Sequence, residues 1–108
     1  MKGKLVRDKI PALTVANNQQ VYVKILSKEE FQGALILELI NKLGILKDGN
    51  EESNVEILAE AETIIRHLAE INKISPTAIE TVYNKMVALK GNYSARLFME
   101  IHDEKSSQ

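Results

Sequence analysis

Cysteine is absent from this 108-residue chain, and so is tryptophan. Without cysteine there is neither a disulfide framework nor a thiolate metal site, and a cytosolic setting fits. Only two prolines and five glycines are present, which favours helices over a turn-rich β-sandwich. No charge sign dominates: 14 basic residues stand against 15 acidic ones, for a net charge of −1. Such a balance creates no field to attract nucleic acid or an anionic membrane, so neither is expected as a partner. No segment approaches the roughly 18 uninterrupted apolar residues of a membrane span, and the opening MKGKLVRDKIP lacks the apolar region of a signal peptide. A soluble, cytoplasmic protein is the expectation. At this length the chain reads as one domain over residues 1–108, small enough that a partner subunit would help it bury surface.

What is present is helical patterning. In residues 54–71, NVEILAEAETIIRHLAEI, the apolar side chains Ile57, Leu58, Ala61, Ile64, Ile65, Leu68 and Ile71 fall on one side of a helix turning about 100° per residue. The same arithmetic sets Glu56, Glu60, Thr63, His67 and Glu70 along a flank of that stripe. Before it, Ser27 and Glu30 form a capping-box pattern that opens a helix to about Leu43, with Phe31, Ala34, Leu35 and Leu39 as its apolar surface. After it, Ser75 and Pro76 start a further helix with Ile79, Val82, Tyr83, Met86 and Leu89 on one face, stopped by Gly91.

Less regular pieces lie between. Pro11 fits the first turn of a short segment carrying Leu13 and Val15, and residues 17–20, NNQQ, read as a loop. Val21, Val23 and Ile25 alternate with Tyr22 and Lys24, the period of a short half-buried strand that has to pair with residues 4–6, another short piece or a second chain. Residues 47–54 form a polar connection in which Ser53 or Asn54 is expected to cap the next helix, leaving the two central helices as antiparallel neighbours. Residues 92–94 turn the chain, residues 95–101 are expected to form one more short element, and residues 103–108 a frayed, flexible tail. The fold class expected is therefore all-α, a helical bundle with a short N-terminal extended segment.

One side chain breaks the pattern. Glu38 stands alone inside LILELI, where a carboxylate on an apolar face costs several kcal/mol unless it is paired, protonated or bound to metal. Lys42, one turn on, offers a Glu-to-Lys pair, and a ligand role is the alternative. Two antiparallel helices with carboxylates beside their seam can build a divalent-metal site, and oxygen ligands suit magnesium better than zinc.

KLVRDKIP at residues 4–11, ILSKEEF at 25–31, the helix around 35–43, AEINKIS at 69–75 and KGNYSARLF at 90–98 follow one another in an order that resembles the phosphoribosyl-ATP pyrophosphohydrolase-like branch of the MazG-type all-α nucleoside triphosphate pyrophosphatases. The resemblance covers nearly the whole chain, with KLVRDKIP its most specific part. It implies magnesium held by an E-x-x-E motif on one helix and an E-x-x-D motif on the next. It also implies cleavage of a triphosphate between its α and β phosphates, and a homodimer or homotetramer. Position by position, the first motif falls on Glu38 and Asn41 and the second on Ile57 and Glu60. Glu38 matches, Glu60 is a longer carboxylate, Asn41 is a neutral amide, and Ile57 has no ligating atom; Glu56 lies one position away, about 100° around the helix.

The function expected is thus a magnesium-dependent nucleoside triphosphate pyrophosphohydrolase with water as nucleophile. Glu38 and Glu60 are its catalytic and metal-holding pair, Glu56 a further metal ligand, and Arg7, Lys9, Lys85 and Lys90 the cations for substrate phosphates. The missing carboxylates and the nearby Lys42 equally describe a relative that binds a nucleotide without hydrolysing it, or an oligomeric helical adaptor with no ligand. His67, Tyr93 and Phe98 are read as a hydrogen-bonding side chain and two packing aromatics. A DNA-reading helix pair over residues 71–86 is disfavoured, since Glu70 and Glu80 flank it.

Overall fold

The computed structural model describes residues 3–102. Four helices follow one another, α1 (Ile10–Ala16), α2 (Lys28–Leu43), α3 (Glu51–Ile71) and α4 (Pro76–Lys90). No strand occurs among the described residues, so the chain is all-α. It divides into two compact units, Met1–Pro76 and Thr77–Gln108.

The first unit is built on α2 and α3. Ser27 opens α2 with the expected box: its hydroxyl oxygen accepts from the Glu30 backbone N–H, and its own N–H donates to the Glu30 carboxylate, both at 3.1 Å. α3 starts at Glu51, earlier than expected, because Asn50 is its N-cap and its side chain accepts from the Ser53 N–H. Glu51 and Glu52 then face the positive end of the helix dipole. Asn54, expected as a cap, instead holds the turn: its Oδ1 accepts from the Lys47 N–H at 3.2 Å and its Nδ2 donates to the Lys47 carbonyl at 2.6 Å. Gly49 takes φ 79°, a left-handed conformation that glycine adopts at little cost.

At the far end of the pair, Asn72 Nδ2 donates to Gln32 Oε1 at 3.2 Å. The end of α3 therefore meets the beginning of α2, and the two helices run antiparallel as expected. Leu35, Ile57, Ala61 and Ile64 are the buried apolar residues between them. Leu68 and Ile71 are half-buried. The apolar stripe of α3 proves wider than its covering, because Leu58 and Ile65, each one position after a buried residue, are exposed.

α1 carries Pro11 in its first turn and ends where Asn18 turns left-handed at φ 63°. The strand expected over residues 21–25 does not form: Val21, Val23 and Ile25 are exposed and irregular. Nothing among the described residues supplies the ladder of hydrogen bonds that a lone strand lacks.

In the second unit α4 stops as expected, with Gly91 at φ 77° donating its N–H to the Val87 carbonyl at 2.8 Å. Asn92 Oδ1 then accepts from the N–H and hydroxyl of Ser94, closing the turn. The short element expected over residues 95–101 is absent; Arg96 at φ 57° breaks any regular run, and Leu97, Phe98 and Met99 are exposed. The tail expected at residues 103–108 lies outside the described residues. No helix among the described residues is long and apolar enough to cross a membrane.

Candidate functional site

Helix geometry decides which side chains share a side of the α2–α3 pair. Glu38 comes three residues after the buried Leu35, and Glu60 three after the buried Ile57. At about 100° per residue each glutamate lies about 60° off the inward direction, in the same rotational sense. Two right-handed helices that face each other and run in opposite directions turn equal rotations to the same side. Glu38 and Glu60 therefore lie on one side of the pair, with Glu56 and His67 of α3.

The N-terminal segment reaches this side. Arg7 donates from Nε and Nη2 to one oxygen of Glu60, at 2.9 and 2.7 Å, and from Nη2 to the Thr63 hydroxyl at 3.1 Å. Thr63 is held in place because its hydroxyl donates to the Ala59 carbonyl. Glu38 has a cation of its own, Lys42 Nζ at 3.9 Å, which is the ordinary pairing its spacing allowed. Each carboxylate is thus half-covered and compensated by a cation. Glu56 is exposed on the outer part of the same side.

This donor set does not fit a resident magnesium ion. Among the described residues no three Asp, Glu or His side chains gather so as to hold a metal. One oxygen of Glu60 already accepts two hydrogen bonds from a guanidinium, whose positive charge opposes a second cation beside that carboxylate.

The other expected phosphate contacts belong to other elements. Lys9 is the exposed N-cap residue of α1. Lys85 and Lys90 belong to α4 in the second unit, both exposed. His67 lies with Nδ1 3.2 Å from Glu70 Oε2 and its ring edge-on to Phe31, at 6.2 Å between centroids. Together with Lys28, Ile71 and Lys73 these residues line an open depression of about 360 Å³ where α2 begins and α3 ends. The Glu30 carboxylate is held below the ordinary 4.5, by the Ser27 backbone N–H first, then the Ser27 hydroxyl and the Lys24 charge.

Neither a protein-family model, nor a curated protein, nor a solved structure matches the chain.

The Arg7–Glu60–Thr63 cluster is the feature that reading along the sequence does not reach. Its members stand 53 and 56 residues apart, and no local periodicity links them. The signal available was the pairing of a lone Arg in the opening segment with the acidic flank of α3, which names candidates without choosing one.

Proposed function

We propose that this chain is a helical assembly module on a pyrophosphohydrolase-like scaffold, with the acidic positions turned over to ion pairs. The observation that carries this reading is the Arg7–Glu60 pair, since the carboxylate a hydrolase would need for its metal is engaged by a guanidinium. Lys42 beside Glu38 supports the same reading. In such a module the polar side of the α2–α3 pair is closed by the chain's own N-terminal segment, and recognition passes to the apolar side. The test is pyrophosphate release from a panel of nucleoside triphosphates with magnesium. No release above the rate without protein is expected, and release abolished by Glu38→Gln and by Glu60→Gln would overturn the reading.

Triphosphate hydrolysis is the second reading, favoured by one observation: Glu38, Glu60 and Arg7 share a side, so a phosphate could take Arg7 from Glu60. A dose-dependent rise in melting temperature with a nucleotide, without pyrophosphate release, would instead support a binding role at this side.

A further inference from the structure

The turn that joins α2 to α3 holds a carboxyl group and a backbone nitrogen able to react with each other. Asp48 is followed by Gly49, whereas every other aspartate and asparagine of the chain is followed by a residue that carries a Cβ. The nitrogen after an aspartate closes a five-membered ring when it attacks the side-chain carboxyl carbon. Glycine opposes that closure least, since without a Cβ its nitrogen is uncrowded and the backbone reaches conformations that other residues avoid.

The structure leaves both reacting groups unengaged. Among the described residues the Asp48 carboxylate makes no hydrogen bond or ion pair, and the Gly49 N–H donates to nothing. Both residues are exposed, and a Cβ built on Gly49 meets no atom within 4 Å. The turn around them is closed by the Asn50 N–H on the Lys47 carbonyl at 3.5 Å, long for such a bond. The neighbouring amides are held instead. Asn50 Oδ1 accepts from the Ser53 N–H, Asn54 grips the backbone of Lys47 through both ends of its amide, and Asn92 Oδ1 accepts from Ser94.

We infer that the Asp48–Gly49 link is a site of self-modification, at which aspartate converts to isoaspartate through a cyclic imide. The Gly49 nitrogen forms a bond to Asp48 Cγ and gives up its proton, and the hydroxyl of the protonated carboxyl group leaves as water. A second water then adds to the main-chain carbonyl carbon of Asp48 and breaks the bond from that carbon to the Gly49 nitrogen, which regains a hydrogen. The chain thereafter runs through Cβ and Cγ, with the former main-chain carbonyl as a free carboxylate. One water leaves and one returns, so composition is unchanged and no cofactor, oxidant or reductant takes part. The main chain becomes one carbon longer between Lys47, which Asn54 holds, and Asn50, which caps α3. Conversion therefore loosens the start of α3, and the change cannot be undone by refolding.

The experiment is incubation of the full chain at pH 5 and 37 °C, followed by peptide mapping with mass spectrometry. The expected product is a second peptide of unchanged mass with isoaspartate at position 48, preceded by a species lighter by one water. The modified fraction should melt about 4 °C lower, the effect of a lost helix cap. Gly49→Ala is expected to slow the conversion severalfold. Because Gly49 sits at φ 79°, where alanine is strained, Asp48→Glu is the second variant: it keeps the charge and the glycine, but the ring would need six atoms, and the product should disappear. A native chain whose position 48 stays aspartate while the urea-unfolded chain converts overturns the inference, because the fold then protects the link. Product spread over the asparagines, or formed equally in Asp48→Glu, overturns it as well.

Discussion

Removing the guanidinium of Arg7 tests the candidate site most directly. The pair is partly solvated, with side-chain exposures of 54 % for Arg7 and 36 % for Glu60. Both hydrogen bonds end on one carboxylate oxygen, so the fork does not engage the two oxygens of Glu60 separately. Exposed pairs couple by about 0.2–1 kcal/mol, against the about 3–5 kcal/mol lost when one partner of a buried pair is removed. A double-mutant cycle of Arg7→Ala and Glu60→Ala should therefore give a coupling of about 0.5 kcal/mol, worth about 2–4 °C in melting temperature. The assay is urea denaturation at one fixed protein concentration, in low salt and again in 1 M NaCl. The coupling should shrink towards zero in high salt, where the screening length falls to about 3 Å. Arg7→Lys should not restore it in full, because an ammonium cannot serve Glu60 and Thr63 through one planar group. A coupling above about 2 kcal/mol, or one unmoved by salt, would refute this account of the pair. No measurable coupling in low salt would show that Arg7 does not hold Glu60 at all.

Three further outcomes are expected. Ile64→Ala empties a site only 4 % exposed and should cost about 3 kcal/mol in urea denaturation; a loss under about 1 kcal/mol would contradict its place in the core. Lys73 sits left-handed at φ 57°, just past α3, where the Ile74 N–H reaches back to the Ala69 carbonyl. Lys73→Gly should therefore raise stability by about 0.5–1 kcal/mol in a thermal melt, and a fall would contradict that conformation. The Glu30 carboxylate titrates below 4.5 when folded, so its contribution is fully present above that value and fades as pH falls through the lowered one. In Glu30→Gln, which removes the carboxylate itself, this part of the acid sensitivity should disappear when denaturation is followed from pH 6 to pH 3; an unchanged profile would remove Glu30 as its source.

Where the outcome depends on neighbours a few residues away, the sequence is enough. The capping box of Ser27 and Glu30, the stop at Gly91, the Asn92–Tyr93–Ser94 turn and the spacing of Glu38 and Lys42 follow from contacts made within one or two turns. Period-two alternation over Val21, Val23 and Ile25 failed for the opposite reason, since a strand exists only if something distant pairs with it. The cap of α3 was misplaced because Asn54 had two possible uses, and contact with Lys47 chose between them.

The sequence by itself determined that this protein is all-α and that two antiparallel amphipathic helices carry acids along one flank, because helical period and caps are local properties. Only the tertiary structure decided what became of those acids and of the apolar surface. An arginine 53 residues away closes on Glu60, and α3, at its contact with α2, hides Ile57, Ala61 and Ile64 while leaving Leu58 and Ile65 in water. A single helix–helix seam covers a narrower arc than the apolar stripe spans, and no pattern along the chain states which edge of that stripe stays bare.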